Sequence, residues 1–352
     1  MIQSFLIKNY RLFKELEIKS LKRVNLIVGG NNTGKSALLE ALLIYSSKGD
    51  IRTLNALLHQ RGEWLDIGAH LSKREQTNSY LENYQELFPE RKIDYGSDSS
   101  VISVGEGEEK NFITLKLKYN TERVLYYFVQ GRPGADYNPT SNMAERVFSE
   151  GKENYMLTND IPLEPDVVSS FSQQFIQAYS RPEHNHLLWD EIQLTPQEDF
   201  IIEALRIIEP RIDRLAFDSV TKKAKVRLQG ESKPLTLSSM GDGINRILSI
   251  ALAMVRCEGS IFLIDEFENG LHWSVQENLW KIIFKLAQEL DIQVFATTHS
   301  TDTIRTLAKV TEGEYQENTK FIKLSNKKGI LKAIEYDFEN ILIALEDDIE
   351  IR

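Results

Sequence analysis

Two short stretches, far apart in the chain, carry the residue types that phosphate chemistry needs. Gly29-Gly30-Asn31-Asn32-Thr33-Gly34-Lys35-Ser36 fits G-x-x-x-x-G-K-[ST] at every position. Glycines let consecutive backbone N–H groups curl around phosphate oxygens, and a helix opening at the loop's end adds a partial positive charge. Lys35 is placed to reach the β- and γ-phosphates of a nucleoside triphosphate, and the Ser36 hydroxyl to ligate Mg²⁺. The candidate phosphate-binding set is Gly29, Asn31, Asn32, Thr33, Gly34, Lys35, Ser36 and Ala37. Further on, the apolar run Ile261–Ile264 ends in Asp265 and Glu266. Acids at the end of a buried parallel strand lie at the ligand edge of a sheet. There Asp265 is expected to hold Mg²⁺ through water, and Glu266 to act as general base or water-positioning group. Thr297-Thr298-His299-Ser300 closes the next apolar run and puts His299 on the same edge, where an imidazole can sense the γ-phosphate. Leu237–Gly243 is a second Ser- and Gly-rich entry to a helix, a type of site that holds anions or simply caps the helix.

The elements that must carry these groups follow from the hydrophobic pattern. MIQSFLI and VNLIV (Val24–Val28) read as strands, and SALLEALLIYSS (Ser36–Ser47) as a helix, so the phosphate loop is flanked correctly on both sides. Residues 50–100 are polar and helix-leaning, anchored by Trp64, Leu81 and Leu87; Ser97–Lys110 reads as a loop, as does Gly131–Asn142. FITLKLKY and ERVLYYFV read as an antiparallel hairpin turning near Asn120 and Thr121. Thr195–Ile212 reads as a helix capped by Thr195, with Pro196 and Glu198 in its first turn. DGINRILSIALAMVRC reads as an apolar helix. IFLID and IQVFATT read as strands joined by the helix WSVQENLWKIIFKLAQEL, a spacing that implies a parallel sheet with a crossover helix. Two last strands, FIKL and ILKAIEY, precede an acidic tail. No internal repeat or sustained heptad is present.

Composition narrows the class. The chain has 352 residues, 41% apolar and 27% charged, which suits a soluble globular protein of one large or two intimate domains. A lone cysteine, Cys257, excludes a disulfide framework or multi-cysteine zinc site and fits a reducing cytosol. Apolar runs are too short to span a membrane, and the start lacks a signal-peptide layout, so a cytoplasmic protein with no membrane partner is expected. The net charge of −10 weighs against nucleic acid until it is divided. Residues 1–50 carry eight Lys and Arg against four acids; residues 331–352 carry two against seven. Lys222, Lys223, Lys225 and Arg227 add a basic strip, which reads as a solvated face or as a surface for a DNA backbone. His184-Asn185-His186 reads as a surface loop, Trp273 and Trp280 as core positions of one helix, and Glu346-Asp347-Asp348 as a solvated tail.

The four site elements, in this order, resemble the ABC-type ATPases of the RecF/SMC/OLD group, and most closely the OLD-like AAA-family ATPases. IKNYRLFKELEI, GGNNTGKS, WDEIQLTPQEDFIIEALRIIEPRIDRLAF, LSSMGDGINRIL, IFLIDEFENGLHWSVQ and VFATTHS carry the resemblance, over residues 1–50 and 185–310. It implies an α/β fold: an ABC-type P-loop ATPase head with a mixed or parallel sheet core, an N-terminal antiparallel β-subdomain and a helical/β insert. One domain over 1–352 is expected, with an insert or lid region over 50–195. By the same resemblance, SSMGDG takes the place of the signature loop, with Ser239 and Gly241 capping the γ-phosphate of a nucleotide held by a second copy. Asn269–His272 takes the place of the D-loop, Arg11 and Phe13 fall where relatives make nucleotide-side contacts, and Gln60 and Gln76 are the candidates for a glutamine lid loop. ATP and Mg²⁺ are the implied cofactors. A homodimer on ATP binding, or a higher oligomer, is the implied state.

Larger OLD-like proteins carry a TOPRIM nuclease domain or work with a separate effector. About fifty residues follow His299, too few for that domain, so a stand-alone ATPase is expected, with a TOPRIM-type nuclease or other effector encoded nearby. DNA maintenance or phage defence is the implied role, with DNA as a candidate partner. A RecF-like DNA-repair ATPase and a non-hydrolysing ATP-bound scaffold are the alternatives. A transporter ATPase fits poorly, given the altered signature loop and the long insert.

Overall fold

A computed structural model describes residues 1–47, 49, 51–64, 82–92, 101–107, 112–120, 123–130, 175–176, 185–327 and 329–346. The first strands are β1 (Phe5–Tyr10), β2 (Phe13–Ile18) and β3 (Val24–Val28), followed by helices α1 (Lys35–Ser46) and α2 (Ile51–Gln60). Then come β4 (Val101–Gly105), β5 (Phe112–Asn120), β6 (Arg123–Gln130) and the two-residue β7 (Phe175–Ile176). Helices α3 (Asn185–Ile192) and α4 (Pro196–Arg206) lead into β8 (Ile212–Phe217), β9 (Ala224–Leu228) and β10 (Leu235–Thr236). The remainder runs α5 (Asp242–Val255), β11 (Ile261–Ile264), α6 (Trp273–Glu289), β12 (Gln293–Thr298), α7 (Thr301–Thr311), β13 (Thr319–Lys327), β14 (Ile330–Tyr336) and α8 (Phe338–Glu346).

Among the described residues, a six-stranded sheet in the order β14-β13-β3-β12-β11-β7 forms the centre. Its strands are parallel except β14, which runs antiparallel to β13. β11 and β12 are neighbours joined through α6, as the strand–helix–strand spacing implies. The mostly apolar runs of β3, β11 and β12 follow from burial on both faces. Val24, Leu26 and Val28 of β3, with Phe262 and Ile264 of β11, belong to the core shared with α4–α8. Ile27, Leu263 and Phe295 belong to the core under β1, β2, α1 and α2. A second sheet, β2-β1-β4-β5-β6, is antiparallel throughout, and β8–β10 form a small third one.

The local readings hold for the phosphate loop's flanks, the β5–β6 hairpin and the apolar helix α5. Thr195 caps α4, accepting from the N–H of Gln197, while Glu198 accepts from the N–H of Leu194 rather than from the cap itself.

Others are corrected. Ser97–Lys110 is not all loop: Val101–Gly105 is strand β4, held between β1 and β5, with Ile102 and Val104 buried beneath its polar neighbours. The helix read through Ile212 ends at Arg206, and Ile212 opens β8. The acidic tail begins as helix α8, which buries Ile341 and Ala344. Trp280 is core, but Trp273 is 62% exposed, because it opens α6 one turn before the buried stripe begins. Asn185 is no loop residue: it opens α3, is buried, and donates to Ser249 Oγ at 2.8 Å. His184, Gln76, Leu81, the Gly131–Asn142 loop, Asp347 and Asp348 lie outside the described residues, as does most of 50–195. No helix among the described residues is long and apolar enough to cross a membrane.

Candidate functional site

The site is built where β3, β11 and β12 end together. β3 stops at Val28, and Gly34 turns the chain into α1 at φ +94°, a left-handed value that glycine tolerates. A Cβ there would stand 2.7 Å from Phe13 Cζ of β2, so the loop lies flat on a buried phenylalanine. Gly34 caps α1 without a side chain, leaving the first N–H groups of the helix open to an anion. Lys35 Nζ folds back and donates to the carbonyls of Gly29 (2.8 Å) and Gly30 (2.9 Å). Burial lowers its pKa, against the opposing pull of Asp265, Glu268 and Glu266.

The two chemistry-bearing stretches meet at one hydrogen bond. The Ser36 hydroxyl donates to Asp265 Oδ2 at 2.8 Å. The other carboxylate oxygen accepts from Thr297 Oγ1 at 2.5 Å, and Thr297 Oγ1 accepts from the Glu266 N–H at 2.9 Å. Thr297 is fully buried at the end of β12, so one hydroxyl ties Asp265 and Glu266 to the neighbouring strand. Glu266 has φ +49°, a strained value for a side-chain residue, of order 1–3 kcal/mol, which persists only when its surroundings fix it. Arg246 of α5 adds to that fixing by donating to the Glu266 carbonyl at 3.2 Å. Burial lowers the Arg246 pKa, against the attraction of Glu268 and Glu266. His299, just past β12, pairs through Nδ1 with Glu268 at 2.9 Å.

These groups open on one cavity of about 610 Å³, lined by Asn31 to Ala37, Asp265, Glu266 and His299, and also by Arg11, Arg61, Glu63 and Glu90. Arg11 thus reaches the cavity, but most of its guanidinium is committed elsewhere. Nε donates to Glu40 Oε2 at 2.6 Å, and Nη1 meets both oxygens of Glu63 at 3.0 and 3.1 Å. Nη2 is buried with no hydrogen-bond partner among the described residues. Glu40, on α1, also accepts from Tyr10 Oη at 2.9 Å and Arg61 Nε at 2.6 Å. Burial alone would lower the Arg11 pKa; Tyr10, Glu40 and Glu63 outweigh it and hold it above the usual value.

Ser239 and Gly241 are not brought to this cavity. They lie exposed on the turn Leu237–Met240 and at its end, where Ser239 Oγ donates to the Thr236 carbonyl and Gly241 takes φ +103°. His272 caps α6 behind Asn269–Leu271. Gln60, exposed at the end of α2, does not line the cavity either. Residue typing gave no role to Glu40, Arg246 or Glu268. Only Glu268 carried a signal, as a third acid beside Asp265 and Glu266.

Residues 24–305 match the family described as "AAA domain, putative AbiEii toxin, Type IV TA system". An "ATP/GTP phosphatase" of Helicobacter pylori is 26% identical, over 97% of this chain and 98% of that protein. The SMC head bound to the C-winged helix domain of ScpA superposes with a TM-score of 0.53 at 13% identity, covering 96% of this chain and 98% of that one. A second SMC head, bound to the C-terminal domain of ScpA derived from Pyrococcus furiosus, gives 0.50 at 12% identity over 99% of both chains. The fold is that of an ABC-type P-loop ATPase head.

Proposed function

The chain belongs to this AAA-domain family, and on that premise we propose that it binds ATP with Mg²⁺ in the cavity above α1 and hydrolyses it. The observation that carries the reading is the Ser36–Asp265 bond, which joins the phosphate loop to the acidic strand end. A hydroxyl and a carboxylate are the hard oxygen donors that Mg²⁺ takes, so the pair fits that ion. Bound there, the ion would neutralise phosphate charge. Lys35 exchanges the Gly29 and Gly30 carbonyls for β- and γ-phosphate oxygens, and the N–H groups at the start of α1 cradle the phosphates. Glu266 orients and deprotonates the attacking water, and His299 stands at the cavity wall beside the terminal phosphate, where its ring holds a water. The name of the Helicobacter pylori relative supports nucleotide hydrolysis.

Ser239 and Gly241 act in trans in this reading. They sit outside their own chain's cavity, so a second copy presents them to the γ-phosphate and two nucleotides are enclosed between two chains. Binding closes the dimer and hydrolysis reopens it, a switch governed by the γ-phosphate. The output passes to an effector, a TOPRIM-type nuclease or another protein encoded nearby, in DNA maintenance or phage defence. For DNA, the basic strip at the start of β9 offers mainly Lys222 and Lys223, just before the strand, since Lys225 pairs with Asp218 and Arg227 with Asp213. Residues 1–352 form one ATPase domain with an insert over 50–195. Light scattering on Glu266→Gln with Mg·ATP tests the switch: the mass should double with nucleotide and return to that of one chain without it. A one-chain mass under both conditions refutes the dimer.

A further inference from the structure

We propose that Glu268 is a positioning residue for His299: it fixes the imidazole with Nδ1 as the donating nitrogen, so that Nε2 is the nitrogen that works in the cavity. The proposal deepens the hydrolytic reading above and rests on it for what Nε2 does.

Three contacts converge on one carboxylate. Glu268 Oε1 accepts from the His299 backbone N–H at 3.0 Å and stands 2.9 Å from His299 Nδ1. Glu268 Oε2 accepts from Thr298 Oγ1 at 2.7 Å. Thr298 Oγ1 in turn accepts from the Ser300 N–H at 3.0 Å, so the whole turn from Thr298 to Ser300 is pinned. The Glu268 side chain is 14% exposed and that of His299 is 52% exposed. The carboxylate is thus held inside while the ring reaches the cavity wall.

An ionised carboxylate only accepts hydrogen bonds, so the nitrogen facing it carries the proton. A neutral imidazole has one N–H, and the bond made by one nitrogen decides the state of the other. Nδ1–H toward Glu268 leaves Nε2 without a proton, able to accept from a water beside the terminal phosphate. A free imidazole favours the opposite arrangement, with the proton on Nε2, so the pairing reverses the ring's polarity toward the cavity.

The test is a long-range ¹H–¹⁵N correlation spectrum of the full chain labelled at its six histidines, with the His299 signals assigned by their loss in His299→Gln. Wild type should show His299 protonated on Nδ1 at pH 8, and Glu268→Ala should move the proton to Nε2. Wild-type His299 protonated on Nε2 overturns the proposal, and that result does not depend on Glu268→Ala folding. So does a proton that stays on Nδ1 in Glu268→Ala. Kinetics give an independent arm. Glu268→Ala should lower kcat about tenfold or more with KM within about threefold, and should cost nothing further in a His299→Ala background. Additive losses would place Glu268 outside the His299 path and overturn the proposal. An inactive wild type with the Nδ1–H spectrum would remove the hydrolytic reading and leave the positioning of His299 standing.

Discussion

The buried carboxylate of Glu40 offers a strong test of how α1 is joined to the N-terminal sheet. Its side chain is 5% exposed and takes bonds from Arg11, Tyr10 and Arg61, while the Arg11 side chain is 7% exposed. Replacing Glu40 with leucine keeps the volume and removes the charge, so Arg11 stays buried with Glu63 as its remaining carboxylate partner among the described residues. Removing one partner of a buried pair costs about 3–5 kcal/mol. Arg61 is exposed enough to turn to water, and Glu63 still binds Nη1, so the lower end applies, about 3 kcal/mol. With a denaturant slope of about 3 kcal/mol/M, the urea midpoint followed by tryptophan fluorescence should fall by about 1 M. The paired change Arg11→Met with Glu40→Leu removes both charges together and should lose about 1 kcal/mol or less. The double variant should therefore be about 2 kcal/mol more stable than Glu40→Leu alone. A Glu40→Leu midpoint within about 0.2 M of wild type, or a double variant as unstable as the sum of the singles, would refute the buried pair.

Three further outcomes follow from the geometry. The Cys257 thiol is buried and pushed up to about 12 by that burial, so the native protein at pH 8 should leave a thiol reagent unreacted and consume one equivalent only in urea. The unfolded thiol ionises near its usual value while the folded one keeps its proton, so this group's contribution to stability falls as pH rises from about 9 toward 12. Gly34→Ala places a Cβ 2.7 Å from Phe13 Cζ at a left-handed backbone position; thermal melts should show a loss of about 1–3 kcal/mol, and nucleotide binding should disappear. Thr297→Val strips the donor from Asp265 and orphans the Glu266 N–H, costing about 1–3 kcal/mol. The Mg²⁺ concentration for half-maximal turnover should rise severalfold in that variant, and an unchanged titration would show that Thr297 does not hold Asp265.

The phosphate loop and the acidic strand end were legible because each is a local pattern: a run of named types flanked by a strand and a helix. Their meeting at Ser36 and Asp265 also followed, since parallel strands with crossover helices bring their ends to one edge. The cluster around Glu40 was not legible. It gathers Tyr10 and Arg11 from β1 and its turn, Glu40 from α1, and Arg61 and Glu63 from beyond α2, and no spacing joins these. Glu268 read as one more acid because its role depends on a turn of the next strand. β4 was hidden by the serines, glycines and acids around three apolar residues; its burial between β1 and β5 outweighs that composition. Trp273 misled in the other direction: heptad spacing from Trp280 predicts one face, but a helix end lies beyond the surface that covers the rest of that face.

Release of inorganic phosphate from Mg·ATP by the wild-type chain and by Glu266→Gln, at saturating nucleotide and with and without DNA, tests the central claim most directly. The wild type should turn over, and Glu266→Gln should release phosphate about a hundredfold more slowly or less while still binding ATP. A wild type that releases none, or a Glu266→Gln that matches it, would contradict hydrolysis at this site.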